Sequence, residues 1–322
     1  MHYKVSVIIP VYNAQDYLER CVDSLMSQTL QEIEYVFVED CPTDGSHEVL
    51  MSALEKYPQR RDDVVIIRHE RNMGVASSRN DGNEAATGEF LIHCDSDDWV
   101  EPTMYEKMYR KVSETGAEIC ICDFFMEDKE GVRTMHPKID CSASHEKVVA
   151  DYIGWVWNTL WSAMVSRNVY RRSNVRIPEK LSFTEDFYLL VQLFQNAGKI
   201  TSVDEPLYHY NRQNASSIVH SVESGAMAQE LYSYESIAEW MKDEGIYGLY
   251  FKQMQWRFLK ATCSLVYHDR FEEFRRLHPE SHRFIISVPS DFCKPKVKLM
   301  MLLTVMRLDA ICRWDNHRHG RA

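Results

Sequence analysis

The sequence predicts an α/β fold, a mostly parallel sheet flanked by helices, with a helical region after it. Three observations carry this. Five short runs, "VSVII", "EYVFVED", "DVVIIRH", "EFLIHC" and "AEICICDF", are apolar on both faces and alternate with helical periodicity, the pattern of strands buried between two helix layers. Acid clusters, Glu39-Asp40 and Asp95-Asp97-Asp98, close the second and fourth runs, and ligands of such sheets bind beyond the carboxyl ends of the strands. From residue 223 onward strand signals fade and helical spacing dominates, which sets a soft boundary near 220 between domains 1–220 and 221–322.

In chain order, "VSVII" is a first strand stopped by Pro10, and "NAQDYLERCVDSLMSQ" brings Tyr17, Leu18, Cys21, Val22, Leu25 and Met26 onto one helical stripe with Asn13 as N-cap. "EYVFVED" is the second strand, and "SHEVLMSALEKY" a helix capped by Ser46. "DVVIIRH" is the third strand, "GVASSRNDGNEAAT" a helix closed by Gly88, and "EFLIHC" the fourth strand. "EPTMYEKMYRKVSETG" is the next helix and "AEICICDF" the fifth strand. The pattern then becomes irregular through the aromatic segment "YIGWVWNTLW", before a helix "TEDFYLLVQLFQNAG" closed by Gly198 and a last strand and loop, "LYHYNRQNASSI".

Composition narrows the function. A net charge of −11 argues against a nucleic-acid backbone as partner, because such proteins carry a broad basic face. Nine cysteines without paired spacing, in 322 residues that need no disulfides, read as thiols in a reducing compartment. The N-terminus runs straight into a strand, without the basic and apolar regions of a signal peptide. A cytoplasmic location is therefore expected, with peripheral attachment to the inner face of the cell membrane left open.

"CDSDDW" offers Asp95 and Asp97 at the i, i+2 spacing that puts both carboxylates on one side of extended backbone, with Ser96 and Asp98 on the other. Two hard oxygen donors suit Mg²⁺ or Mn²⁺ completed by substrate phosphates; an Asp-rich turn capping backbone amides fits the spacing equally well. An EF-hand is excluded, since its required glycine would be Val100. In "VEDCPTDGS" a carboxylate could accept a ring N–H or a ribose hydroxyl, while turn shaping is the plainer role. Arg79 is a phosphate partner or a solvent-facing helix arginine. Ser182 and Glu185 have capping-box spacing, and Asp186 beside them is either part of a helix start or a general base. Cys120 and Cys122 alternate on a strand as buried thiols. His209 is either a further metal ligand or a surface histidine.

Together, "VSVIIPVYNAQDYLERCVDSLMSQT", "VEDCPTDGS", "ERNMGVASSRNDGNEAATGEFL", "CDSDDW" and "TEDFYLL" resemble, in order and spacing over residues 3–215, the family 2 inverting glycosyltransferases of the GT-A fold, of the type that builds bacterial polysaccharide and cell-surface glycans. The resemblance implies that Pro10 and Tyr12 sit against a nucleotide base, that Glu39 or Asp40 reads it, and that Arg79, Asp95 and Ser96 complete the donor site. Asp97 would hold Mn²⁺ or Mg²⁺ on the diphosphate, and Asp186 would be the catalytic base. The donor implied is a nucleotide sugar, most simply a UDP-sugar carrying a hexosyl or N-acetylhexosaminyl group; the acceptor is a hydroxyl of a glycan or lipid-linked molecule. The sequence departs from the family at Glu39, where an aspartate is usual, and at Thr159, where a basic residue is common.

Two competitors are weighed against this reading. A sugar-phosphate nucleotidyltransferase needs a glycine-rich loop after the first strand, yet the first glycine is Gly45. A non-catalytic carbohydrate-binding or scaffold protein would not need Asp97 and Asp186 together. The tail differs from the acidic body, with seven Lys/Arg against two acids within 292–322. Its apolar run Leu299–Met306 is too short to span a bilayer. It either lies in a membrane interface or packs on the catalytic domain or a partner in a homo-oligomer.

Overall fold

The computed structural model describes residues 2–137, 139–214 and 225–318. They form two compact units, one from Met1–His145 with Asn158–Glu223 and the other from Glu146–Trp157 with Ser224–Ala322. The boundary expected near 220 lies outside the described residues.

The first unit opens with β1 (Val5–Val11), α1 (Leu18–Met26), β2 (Ile33–Glu39), α2 (Ser46–Glu55), β3 (Val64–Arg68), α3 (Val75–Ala85) and β4 (Phe90–His93). It continues with β5 (Trp99–Val100), α4 (Met104–Thr115), β6 (Ile119–Asp128) and β7 (Gly131–Met135). Helix α5 (His145–Gly154) begins where the chain passes into the second unit. The chain then returns for β8 (Ala163–Ser166), α6 (Arg167–Ser173), α7 (Glu185–Asn196) and β9 (Ile200–Asn211).

Among the described residues nine strands make one sheet in the order β3-β2-β1-β4-β8-β6-β9-β5, with β7 added to β6. β3, β2, β1 and β4 are parallel, as are β6 and β9. β8 runs antiparallel between β4 and β6. The sheet is thus mostly parallel, with its irregular half in the segment where the sequence pattern broke down. Strands β5, β7 and β8, two to five residues long, were not expected from the sequence.

Pro10 does not stop β1, which runs on to Val11 opposite Glu39. Its missing N–H falls on the β4 side, where pairing ends at Ile8 and His93, so no ladder bond is lost. The core of this unit joins Val7, Ile9 and Leu18 to Phe37, Ile92, Met104, Met108 and Trp161. Gly82 and Gly88 hold α3 close to the sheet. A Cβ at Gly82 would overlap Ile8, and one at Gly88 would lie 2.7 Å from the Ser6 backbone nitrogen. Gly88 is therefore a close-approach glycine rather than the expected helix stop, since α3 ends at Ala85.

The second unit adds α8 (Ala226–Asp243), α9 (Tyr247–Thr262), α10 (Phe271–Arg276), α11 (Pro295–Val305) and α12 (Asp309–Arg318). Its core gathers Leu265, Val266, Phe271, Phe274, Val288, Met301 and Cys312. No helix among the described residues is long and apolar enough to cross a membrane.

Candidate active site

The carboxyl ends of β1, β2 and β4 carry the residues singled out in the sequence. Asp95, Ser96, Asp97 and Asp98 follow β4 in a tight turn, not extended backbone, closed by the Asp98 N–H donating to the Asp95 carbonyl at 3.1 Å. Burial still alternates along it: Ser96 and Asp98 are buried while Asp95 and Asp97 stay half-buried. Asp98 accepts the Tyr208 hydroxyl (2.6 Å) and the Asn211 N–H (2.7 Å), which ties the turn to β9. Tyr208 in turn accepts the Asp95 N–H at 3.1 Å, and Trp161 stacks on its ring at 4.2 Å. Burial first, then Asp97 and Asp95, push the Asp98 carboxyl well above the usual range.

Asp97 accepts one bond from the Asn214 amide at 2.9 Å. Burial and then the Asp95 charge raise its carboxyl to about 6, against the pull of Asn214 and Arg20. Arg20 lies 3.3 Å over the Trp99 ring. Asp97 and Asp95, the latter also paired with Arg79, are two oxygen-donor side chains of the kind that suits a divalent cation keeping waters and taking substrate phosphates. Among the described residues no cluster of three His, Cys, Asp or Glu could hold a metal by itself. His209 is neither a free metal ligand nor a surface residue. Its ring nitrogens meet Glu127 (2.8 Å) and Glu101 (2.9 Å), and it stacks between Trp99 and Phe125.

Arg79 is not a solvent-facing helix arginine. It projects from α3 into the protein, 3% exposed, and its guanidinium reaches Asp95 (3.0 Å), Glu185 (3.4 Å) and Asp186 (3.8 Å). Burial works against the charge, but these three carboxylates outweigh it and hold the guanidinium pKa above its ordinary value. His93 sits behind it, with Nδ1 3.4 Å from Arg79 Nη1; burial and then the Arg79 charge keep it neutral.

Asp186 opens α7. The Ser182/Glu185 capping box is absent, because Thr184 is the N-cap and makes no side-chain cap; Glu185 turns to Arg79 instead. The Leu160 N–H donates to Asp186 Oδ2 at 3.1 Å. Oδ1 is buried without a hydrogen-bond partner among the described residues. Burial, then Glu185, push this carboxyl well above the usual range, against Arg79. One oxygen is held by a backbone N–H and the other faces the Arg79 guanidinium at 3.8 Å.

The loop after β2 is built around structural contacts. Asp40 accepts the His69 ring N–H (2.7 Å) and the N–H groups of Met73 (2.7 Å) and Gly74 (2.8 Å). Both its oxygens thus shape the entry to α3, with one acceptor position remaining on Oδ2. Glu39 is buried and meets His47 (2.9 Å) and Arg68 (3.1 Å). Asn13 is not the N-cap of α1, which starts at Leu18; at positive φ it accepts the Thr43 N–H at 2.8 Å. Ser46 does not cap α2 either. It donates to Asp44 at 2.5 Å and accepts the Ala14 N–H at 2.8 Å. These bonds clasp the loop to residues 13–15, beside half-buried Pro10 and the exposed ring of Tyr12.

Comparison with known proteins decides the family. A model described as glycosyl transferase family 2 matches residues 6–177, more than half of the chain. The chain belongs to glycosyl transferase family 2. This family 2 chain is 29% identical to EpsJ, an uncharacterized glycosyltransferase of Bacillus subtilis, over 70% of its own length and 66% of EpsJ. It is 30% identical to EpsH of the same organism, over 78% of its own length and 72% of EpsH. Among solved structures, Staphylococcus aureus TarS 1–349 in complex with UDP-GlcNAc superposes with a TM-score of 0.66 at 20% identity, covering 98% of this chain and 89% of TarS 1–349. The fold of this family 2 chain is thus GT-A-like. Tyr208, Asn214, Arg20 and the Leu160 N–H had no signal in the sequence. Each reaches the site from an element whose approach only the sheet order creates.

Proposed function

We propose that this chain transfers a sugar, with inversion, from a nucleotide diphosphate donor, a UDP-sugar, to a hydroxyl of a glycan or lipid-linked acceptor, with Mn²⁺ or Mg²⁺ bound at Asp97. The observation that carries the proposal is Asp186, with Oδ2 pinned by the Leu160 N–H and buried Oδ1 unbonded. It stands beside an arginine that also holds Asp95. TarS in its UDP-GlcNAc complex supports the donor class.

Asp186 Oδ1 takes the proton of the acceptor hydroxyl as that oxygen bonds to the anomeric carbon. The bond from carbon to the diphosphate oxygen breaks on the opposite face, so configuration inverts. The raised pKa makes Asp186 a stronger base than an ordinary carboxylate. Arg79 holds Asp95 in place, and its charge favours the ionised form of Asp186. Asp97 would hold the divalent cation, which when bound would supply Lewis-acid stabilisation of the charge on the leaving diphosphate. Tyr12 offers the base an exposed ring, and Glu39 or Asp40 at the end of β2 reads its edge.

Thermal melting with nucleoside diphosphates plus Mn²⁺ tests the donor site, and product formation from UDP-sugars tests the reaction. UDP with Mn²⁺ is expected to raise the melting temperature more than either alone. Asp186→Asn is expected to keep that shift and lose about 10²–10⁴-fold in transfer, the usual worth of a general base. Absence of stabilisation by every nucleoside diphosphate, or full activity in Asp186→Asn, would overturn the proposal.

A further inference from the structure

The helical hairpin at the end of the second unit leaves an apolar surface uncovered. Helices α11 and α12 run antiparallel: Lys296 pairs with Asp315 at 2.7 Å, and the Cys312 thiol reaches the Met300 carbonyl at 3.6 Å. Val297, Met300, Met301 and Cys312 bury the inner side. Away from that side Leu299 (57% exposed) in α11, Met306 (67%) in the turn, and Ile311 (50%) and Trp314 (63%) in α12 meet solvent within sixteen residues of one hairpin. Large side chains grouped in this way need a partner, unlike scattered single ones.

The charges around the patch identify that partner. Asp315 is held by Lys296, and Asp309 by Arg275 at 2.8 Å. Lys294, Lys298, Arg313 and Arg318 have no carboxylate of the described residues within 4 Å. Arg318 lies 5.3 Å over the Trp314 ring, an aromatic and cation pairing suited to the level of lipid headgroups. A second copy of the chain is disfavoured, because a two-fold interface would set one basic patch against another. An apolar surface beside cations that no carboxylate of the described residues pairs, Lys298 donating only to the Ile286 carbonyl at 3.5 Å, matches a bilayer carrying anionic headgroups.

We infer that the α11–α12 hairpin is a docking surface for an anionic lipid membrane, with Leu299, Met306, Ile311 and Trp314 entering the interface and Lys294, Lys298, Arg313 and Arg318 meeting the headgroups. The inference stands apart from the nucleotide-sugar reading, whose residues lie in the first unit.

The test is flotation of the full chain with vesicles of phosphatidylcholine alone or with about one third phosphatidylglycerol. The chain is expected to float with the anionic vesicles only, less so at high salt. Replacing Lys294, Lys298 and Arg313 by Glu is expected to weaken binding by at least about fivefold per residue, the worth of one interfacial cation. Leu299→Ser, Met306→Ser and Trp314→Ser together are expected to abolish it. Because these side chains are exposed, melting temperature and the shift caused by UDP and Mn²⁺ are expected to stay unchanged, which separates this test from that of the donor site. No binding to anionic vesicles, or equal binding by the serine variant, overturns the inference. So does a concentration-dependent dimer that the serine variant abolishes without any vesicle binding, which would assign the surface to a second copy.

Discussion

At the residue scale, two carboxylates illustrate how position sets role. Asp95 pairs with Arg79 at 3.0 Å, whereas Asp186 shares that arginine at longer range and crowds Glu185. The Asp186 pKa is raised in the folded chain, so its charged form costs stability above the usual carboxylate range and nothing below it. Asp186→Asn removes that cost. The variant is therefore expected to melt no lower than the parent at about pH 5, and higher as pH rises toward 8. Thermal melts across that range without metal or nucleotide check this. For the same reason the acid limb of the transfer rate is expected above the ordinary carboxylate range, since the base must be ionised to act.

At the element scale, Tyr208 joins β9 to the acidic turn through two hydrogen bonds. Tyr208→Phe leaves the Asp95 N–H and Asp98 Oδ2 with a lost partner in a buried place. A cost of about 1–3 kcal/mol is expected in urea unfolding. Helix α3 gives a prediction of opposite sign to propensity. Ala for Gly inside a helix ordinarily gains up to about 1 kcal/mol, but a Cβ at Gly82 would overlap buried Ile8. Overpacking costs about 1–3 kcal/mol, so Gly82→Ala is expected to destabilise. A melting temperature above the parent's would show that α3 can move off β1 freely.

At the scale of the whole molecule, the chain leaves its first unit at Glu146 and returns at Asn158, a detour that one buried arginine secures within the second unit. Arg257 donates to the carbonyls of Ile153 (2.5 Å), Tyr152 (3.3 Å) and Val156 (3.2 Å), while Phe292 lies 4.8 Å from its guanidinium. Arg257→Leu strands those carbonyls, and a loss of about 2–4 kcal/mol is expected, charge-assisted bonds being the stronger kind. Chemical unfolding followed by fluorescence of the tryptophans in this unit reads it directly.

The four parallel strands, the helices between them and the acids at strand ends were legible in the sequence, because strand and helix periods and turn chemistry are local. So were Asp95, Asp97, Arg79 and Asp186 as candidates, though each alone had a plain structural alternative. What only the tertiary structure decided was where these side chains lie and what they touch. Burial of Arg79 among three carboxylates, the engagement of both Asp40 oxygens and the enclosure of His209 all arise from pairs more than ten residues apart. The insertion of β8 between β4 and β6, and the detour through the second unit, are equally non-local. No periodicity records such contacts, because side-chain meeting points are set by strand order and packing rather than by neighbours along the chain.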